Sequence, residues 1–190
     1  MSSHHIVREN QEPALFIANP NSLSDEYLNQ LLEWSPTIIT LSEHYELLKS
    51  REIKIDVVLD NQGLDPTFIE EHLSLLPFSG SYLNPLFELL GERKNFAVNI
   101  ITEDINRSAY EPFLSDFVII LLNSNRKCLL VKKYEKWLPK GSSLIIENYE
   151  GKSSELKNLE SISDLEFRVV QDGFISIPEQ ENYLLISEEI

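Results

Sequence analysis

The sequence predicts an α/β fold with a mainly parallel sheet, followed by a small antiparallel β region. In the first part of the chain, short apolar runs alternate with amphipathic helical segments, which is typical of a parallel sheet covered by helices. From about residue 124 onward, apolar runs are short and separated by turn signals, which favours antiparallel strands. We therefore predict an N-terminal polar segment over residues 1–13, an α/β domain over 14–123 and a β-rich domain over 124–190.

The chain is organised around a central strand–helix–strand unit. The β-branched run 37–41 and the apolar run 53–59 predict two strands, with a short helix over residues 43–49 between them. A polar turn over residues 60–63 follows the second strand at once. Because open parallel sheets place their chemistry just past the carboxyl ends of strands, we expect residues 41–43 and 60–63 to form the floor of any active site.

The flanking segments extend the same alternation on both sides of this unit. Strands are indicated by short apolar runs, and helices by apolar residues at helical spacing after polar or proline-containing turns. The segment 102–114 is polar and remains ambiguous. The predicted strands are residues 14–18, 37–41, 53–59, 96–101 and 118–122, then 128–131, 143–147, 166–170, 173–177 and 183–187, and the predicted helices are residues 25–34, 43–49, 67–75 and 84–90.

Composition excludes several classes of partner. The 190 residues carry a formal net charge of −15, so phosphate-rich nucleic acids and anionic membranes are repelled. No segment reaches the roughly 20 apolar residues that span a bilayer, and the N-terminus does not resemble a signal peptide. The one cysteine, Cys128, lies in an apolar run and is expected to be a buried, inert thiol. We expect a cytoplasmic protein.

Acidic residues after predicted strands are the main candidates for chemistry. Asp60 follows a strand directly, Asp65 lies in the same loop, and Glu43 and the pair Glu103–Asp104 follow other strands. Carboxylates clustered at a strand end can hold a magnesium ion that bridges protein and phosphate oxygens. Each residue alone is more often a solvated cap or turn residue, so the acidic rim is a hypothesis about the group.

Several stretches follow the segment order of a known family: residues 17–19 (IAN), 31–36 (LLEWSP), 53–59 (IKIDVVL) and 134–137 (YEKW), the opening over residues 3–15, and the change to a β-rich C-terminal part. In this order they resemble bacterial thiamine pyrophosphokinases. The resemblance implies a Rossmann-like N-terminal domain, a C-terminal β-sandwich and a homodimer with sites shared between the chains. It also implies an activity, the transfer of pyrophosphate from ATP to thiamine with magnesium, which leaves AMP.

The loops of this chain depart from the motifs of that family. Ser42-Glu43 stands where the family usually has Asp-Gly, and residues 60–63 read Asp-Asn-Gln-Gly where it has Gly-Asp-x-Asp. Residues 77–84 lack the expected Gln-x-x-Thr-Asp pattern, and residues 102–109 lack the glycine and histidine of a Gly-x-Arg-x-Asp-His turn. Losing carboxylates weakens the metal clamp that stabilises transferring phosphates, so the pattern favours a pseudoenzyme.

The resemblance still places candidate site residues in these loops. They are Asp60 and Asp104 as catalytic residues, Asn19, Ser42, Glu43, Asn61 and Arg107 as cofactor-binding residues, and Asp60 and Asp65 as metal ligands. Magnesium and ATP are the expected cofactors if the protein is active, and none is expected otherwise.

Three functions remain open from the sequence. The first is a non-catalytic or strongly impaired relative of these kinases that binds a small ligand, either thiamine-like or a nucleotide. The second is an active thiamine pyrophosphokinase that uses shifted acidic ligands. The third is a structural or assembly partner of an active paralogue.

Overall fold

A computed structural model describes residues 12–68, 70–124 and 126–190. The predicted N-terminal segment, residues 1–13, therefore falls outside the described residues except for its last two. The fold is α/β and is built on an eleven-stranded mixed sheet, with a separate two-stranded ribbon. In the part of the chain that the structure describes, no helix has the length and apolar character needed to cross a membrane.

The described residues form thirteen strands and four short α-helices. The strands are β1 Ala14–Ile17, β2 Ile38–Leu41, β3 Val57–Asp60, β4 Ser74–Pro77, β5 Ala97–Ile101, β6 Val118–Asn123, β7 Arg126–Val131, β8 Tyr134–Leu138, β9 Ser143–Glu147, β10 Leu159–Ser161, β11 Glu166–Val169, β12 Gly173–Ile177 and β13 Leu184–Glu189. The helices are α1 Asp25–Leu32, α2 Tyr45–Ser50, α3 Leu83–Glu92 and α4 Arg107–Tyr110, and 3₁₀ turns cover Ser42–His44, Pro66–Phe68, Glu111–Phe113 and Ser153–Glu155.

The large sheet changes from parallel to antiparallel at the β6–β7 hairpin. Its strand order is β10-β11-β9-β13-β7-β6-β5-β1-β2-β3-β4. Read in this order, each strand from β10 to β6 is antiparallel to the next, and each strand from β6 to the edge strand β4 is parallel to the next. The remaining strands, β8 and β12, pair with each other as an antiparallel ribbon. The antiparallel strands thus continue the parallel sheet, and a Rossmann-like domain with a separate sandwich domain stays a prediction.

Hydrophobic side chains fill both faces of the parallel part of the sheet. Phe16 and Ile100 point to the face that α3 covers, where Leu86 and Leu90 pack on them. On the opposite face, α1 and α2 cover the sheet, and buried leucines from strand and helix meet in a second cluster. A third cluster joins the β8–β12 ribbon to the antiparallel strands. Both faces of the sheet are covered over β1 and β2, which explains the wholly apolar runs in the sequence.

Most of the predicted elements are confirmed, but the predicted helix over residues 67–75 is wrong. A 3₁₀ turn ends at residue 68, and β4 begins at Ser74 as an edge strand parallel to β3. Leu75 packs into the cluster under α1 and α2, whereas Leu76 packs on the α3 side, so the side chains alternate as in a strand. Pro77 is compatible with β4 because edge strands tolerate a missing N–H donor. Two short strands, β8 and β10, were not predicted.

The predicted burial of the cysteine is confirmed. Cys128 is buried in β7 as a free thiol, and its Sγ lies 3.2 Å from Oγ of Ser187 on β13. Burial raises the pKa of this thiol, which favours its protonated form at neutral pH.

Candidate functional site

The parallel strands form a topological switch point between β1 and β5. From β1 the chain proceeds outward through β2, β3 and β4, then returns to the other side of β1 to form β5 and β6. Ligands of open α/β sheets bind where loops diverge at such a point, outside the carboxyl ends of the strands. In this chain the loops that follow β1 and β5 are hydrogen-bonded to each other, because the N–H groups of Ala18 and Asn19 both donate to the carbonyl oxygen of Ile101, at 3.0 and 3.1 Å.

Three of the predicted residues meet at the ends of β2 and β3. The Ser42 hydroxyl donates to Oδ1 of Asn61 at 3.1 Å, and the Asn61 N–H donates back to Ser42 Oγ at 3.3 Å. Ser42 also interacts with the side chain of Asp60, which is buried with 4% of its surface exposed. The structure therefore brings Ser42, Asp60 and Asn61 together, as the sequence predicts for neighbouring strand ends.

The Asp60 carboxylate holds its own loop in place. Its Oδ1 accepts the N–H groups of Gln62 at 2.9 Å and Gly63 at 3.1 Å, and its Oδ2 accepts that of Leu64 at 2.8 Å. Burial acts to raise the pKa of Asp60, but the hydrogen bonds from the backbone and from Ser42 outweigh it, and the pKa is lowered. Both oxygens are thus engaged as acceptors in a turn that Gly63, with a φ of +76°, completes.

A second cluster, the tyrosine cluster, lies at the end of β5 and consists of Tyr82, Thr102, Asp104 and Tyr110. Tyr82 precedes α3 and packs against Phe16 of β1, with ring centroids 5.3 Å apart. Tyr110 is 2% exposed, and its side chain interacts with those of Tyr82 and Thr102. The cluster therefore covers the ends of β1 and β5 at the switch point.

Burial and a nearby carboxylate keep both tyrosines protonated. Burial raises the pKa of Tyr110 most, and its interaction with Tyr82 and the charge of Asp104 raise it further. Burial also raises the pKa of Tyr82, with a smaller contribution from Asp104. The main chain of Asp104 is fixed by its N–H, which donates to Thr102 Oγ1 at 3.1 Å. Because Tyr110 is buried, the surface of this cluster is formed by the exposed carboxylate of Asp104 and the partly exposed Tyr82.

The remaining predicted residues make local contacts at this edge. Glu43 lies 3.4 Å from the ring Nε2 of the adjacent His44, and Oδ1 of Asn19 accepts the N–H of Asn21 at 3.0 Å. Asp65 is exposed and accepts both the N–H and the hydroxyl of Thr67, at 2.9 and 2.8 Å, which lowers its pKa.

Arg107 connects this edge to the C-terminal strands. Its Nη1 donates to the carbonyl oxygen of Tyr183 at 2.8 Å, and the Tyr183 hydroxyl donates to the carbonyl of Leu114 at 3.2 Å. The two bonds fix the residue that precedes β13 against α4 and the turn after it. This guanidinium therefore holds the fold together at the place where the sequence predicts a cofactor contact.

The geometry does not fit a magnesium ion held jointly by the predicted acids. Strands β3 and β5 are three positions apart in the sheet, so Asp60 and Asp104 follow strand ends separated by about 14 Å at the usual strand spacing. Asp60 already accepts three backbone N–H groups, and Asp65 caps its own turn. Within residues 12–68, 70–124 and 126–190, no group of three or more His, Cys, Asp or Glu side chains is arranged to hold a metal.

The two tyrosines and Thr102 belong to a site that the sequence does not predict. Tyr82 and Tyr110 lie 28 positions apart, in a turn and in the segment left ambiguous. A tyrosine in a polar segment carries no signal that it is buried, because that depends on which elements the sheet brings beside it. Thr102 directly after the apolar run 96–101 was the one available signal.

Several solved structures that share this fold are thiamine pyrophosphokinases. The enzyme from Bacillus subtilis matches with a TM-score of 0.64 at 10% identity, over 94% of this chain and 99% of that chain. The yeast enzyme matches with a TM-score of 0.68 at 9% identity, over 97% and 88% of the two chains. The enzyme from Geobacillus thermodenitrificans matches with a TM-score of 0.62 at 11% identity, over 93% and 96%. The resemblance seen in the sequence is therefore confirmed at the level of the fold.

Comparison by sequence gives no further relatives. No protein-family model matches the chain, and no curated protein matches it significantly.

Proposed function

We propose that this protein is a non-catalytic or strongly impaired relative of the thiamine pyrophosphokinases that binds a small organic ligand at the carboxyl edge of its parallel strands. One observation carries the proposal. Both oxygens of Asp60, the acid that directly follows a strand, are engaged by backbone N–H groups of its own loop. A carboxylate in this role stabilises the loop and has little capacity left to hold a metal ion on transferring phosphates.

The tyrosine cluster favours a cationic, thiamine-like ligand over a nucleotide. The exposed carboxylate of Asp104 contributes a negative charge near the partly exposed ring of Tyr82, and an aromatic face with a carboxylate attracts organic cations. Thiamine carries a permanent positive charge on its thiazolium ring. A nucleotide would bring phosphates to a chain whose net charge is −15, and Arg107 at this edge is already bonded to a carbonyl.

The first test measures turnover and binding separately on the purified protein. We expect no AMP or thiamine diphosphate when the protein is incubated with thiamine, ATP and magnesium, next to a Bacillus subtilis enzyme control. We expect thiamine alone to raise the melting temperature, since a ligand at about 100 times its Kd adds roughly 2.7 kcal/mol. Metal-dependent AMP release would instead establish the active alternative with shifted ligands.

Matched variants locate the ligand. Asp104→Asn removes the charge beside the tyrosines and should abolish the thiamine-dependent shift, whereas Asp65→Asn, on the loop after β3, should leave it unchanged. If thiamine produces neither a shift nor turnover, the same melting experiment with ATP decides between a nucleotide ligand, which raises the melting temperature, and the assembly role, for which ATP has no effect.

Three further expectations belong to this proposal. We propose a cytoplasmic location, a homodimer, and a division of the chain into a Rossmann-like domain over residues 14–123 and a sandwich-like domain over residues 124–190. The packing of the β8–β12 ribbon on the antiparallel strands supports the last point, because it creates two β layers around one apolar core. Analytical ultracentrifugation of the full chain tests the dimer.

A further inference from the structure

A groove of about 330 Å³ lies on the face of the sheet that carries α1. Its floor is made by β1, β5 and β6, and its wall by α1 and the residues that follow this helix. Glu12, Pro13 and Pro36 precede β1 and β2, and Leu122 and Lys127 extend the lining along β6 and β7 to the level of Ile101, the last residue of β5. The volume lies in the range that accommodates a small organic molecule.

The floor of the groove carries one amide among apolar side chains. The strand register aligns Leu15, Asn99 and Ile120 in one row across β1, β5 and β6, and all three line the groove. Asn99 makes no side-chain hydrogen bond to any residue that the structure describes. Position 99 lies in a central strand between a leucine and an isoleucine, where an apolar side chain would pack best. Because the Asn99 amide has no partner among the described residues, it is available to a ligand.

Aromatic side chains form the wall beside this amide. Tyr27 of α1 and Trp34 just beyond it line the groove, and Trp34 is 69% exposed. An indole ring at the mouth of a groove offers a flat face on which a planar ring can stack. Glu12 and Lys127 contribute opposite charges to the lining, so the groove has no net charge to attract an ionic ligand.

We propose that this groove binds a neutral, planar heterocycle that presents a hydrogen-bond donor beside an acceptor. Asn99 pairs with that edge through its amide N–H and C=O, as asparagine does with the N6/N7 edge of adenine. Trp34 stacks on the face of the ring, and Leu15 with Ile120 contact the rest of it. The lining of the groove shares no residue with the tyrosine cluster, so this proposal is tested independently of the proposed thiamine site.

Tryptophan fluorescence reports on this groove directly. The chain contains two tryptophans, and the second, Trp137, lies on β8 in the ribbon. In a Trp137→Phe background, emission therefore comes from Trp34. We expect free adenine, a neutral base without phosphates, to quench this emission saturably.

Two leucine variants in the same background test the role of the amide. Asn99→Leu should weaken adenine binding by about tenfold or more, since the paired hydrogen bonds are lost, while the leucine suits the apolar row. Asn29→Leu, the same change on the exposed side of α1, should bind adenine as the parent does. Thermal melts show whether both variants fold. Trp34→Ala, whose adenine binding is measured by calorimetry, should also bind adenine more weakly than its parent.

Three results would overturn the proposal. They are the absence of saturable quenching, equal adenine affinity in Asn99→Leu and its parent, and a change of Trp34 emission on dilution of the protein without adenine. The last result would mean that a second copy of the chain covers the groove.

Discussion

At the scale of single residues, Asp60 shows how a site-like position can be used for structure. The residue follows a parallel strand, where an acid suggests chemistry, but its carboxylate closes the loop over residues 62–64. Because the pKa of Asp60 is lowered from its ordinary value of 3.8, the folded state favours the ionised form. The stabilisation is therefore present above the ordinary pKa and is lost as the pH falls through the lower, folded-state pKa.

Replacing Asp60 should reveal this role. We expect Asp60→Asn to reduce the free energy of unfolding at neutral pH by about 1–3 kcal/mol, since the charge-assisted, partly buried hydrogen bonds from three backbone N–H groups are weakened. Stability of the variant should also fall less steeply below about pH 4. Urea unfolding at several pH values measures both effects. Asp65→Asn, on an exposed turn, is the control and should reduce the free energy of unfolding by less than Asp60→Asn does. Equal reductions in the two variants would contradict the structural role of Asp60.

At the scale of elements, a buried polar contact attaches the ribbon to the large sheet. The hydroxyl of Tyr134 and the ammonium group of Lys136, both on β8, donate to the two carboxylate oxygens of Glu188 on β13. Tyr134 and Glu188 are buried, and burial raises the pKa of Tyr134, with the neighbouring carboxylate raising it further. A neutral hydroxyl donating to a buried carboxylate fixes the relative position of the two β layers.

Removing the Tyr134 hydroxyl should weaken this attachment. We expect Tyr134→Phe to lower the free energy of unfolding by about 1–3 kcal/mol, because Glu188 then loses a buried donor. Tyr149→Phe is the matched control, since its hydroxyl contacts an exposed carbonyl, and it should change stability by no more than about 0.5 kcal/mol. Denaturant unfolding compares the two, and equal effects would show that the Tyr134 contact contributes little.

At the scale of the whole molecule, the sheet continues across the predicted domain boundary. β6 pairs with the parallel strand β5 on one side and with the antiparallel strand β7 on the other. The hydrogen-bond ladder therefore runs without a break from the helix-covered part to the β-rich part. Such continuity favours unfolding as one cooperative unit.

The two tryptophans allow this cooperativity to be measured. Trp34 reports on the parallel part and Trp137 on the ribbon. We expect the single-tryptophan variants Trp137→Phe and Trp34→Phe to show the same urea midpoint by fluorescence and by far-UV circular dichroism. Two separate midpoints would instead support independent domains over residues 14–123 and 124–190.

The net charge of −15 should make stability depend on salt. Repulsion among like charges destabilises the compact state, and salt screens it over about 10 Å at 0.1 M ionic strength. We expect the melting temperature at neutral pH to rise when sodium chloride is increased from low to physiological concentration. A fall would indicate that attractive ion pairs outweigh the repulsion, and sucrose serves as the non-ionic control for general solute effects.

The sequence by itself determined most of the elements and part of the site. Wholly apolar runs such as residues 14–17 require burial on both sides, so the α/β class followed from local pattern alone. The grouping of Ser42, Asp60 and Asn61 also followed, because adjacent parallel strands end at the same edge. Residues 74–77 were misassigned because a short leucine run fits a helix and a strand equally, and only its pairing with β3 decides.

Only the tertiary structure decided what the polar residues do. Hydrogen-bond partners of Asp60 and Arg107 depend on backbone groups whose positions no spacing reveals, and both residues turned out to hold the fold together. Tyr82 and Tyr110 meet because the chain returns to the other side of β1. Asn99 faces a groove because α1 leaves β5 and β6 partly uncovered there. Local pattern encodes burial and periodicity, whereas function depends on which distant groups the fold brings within contact.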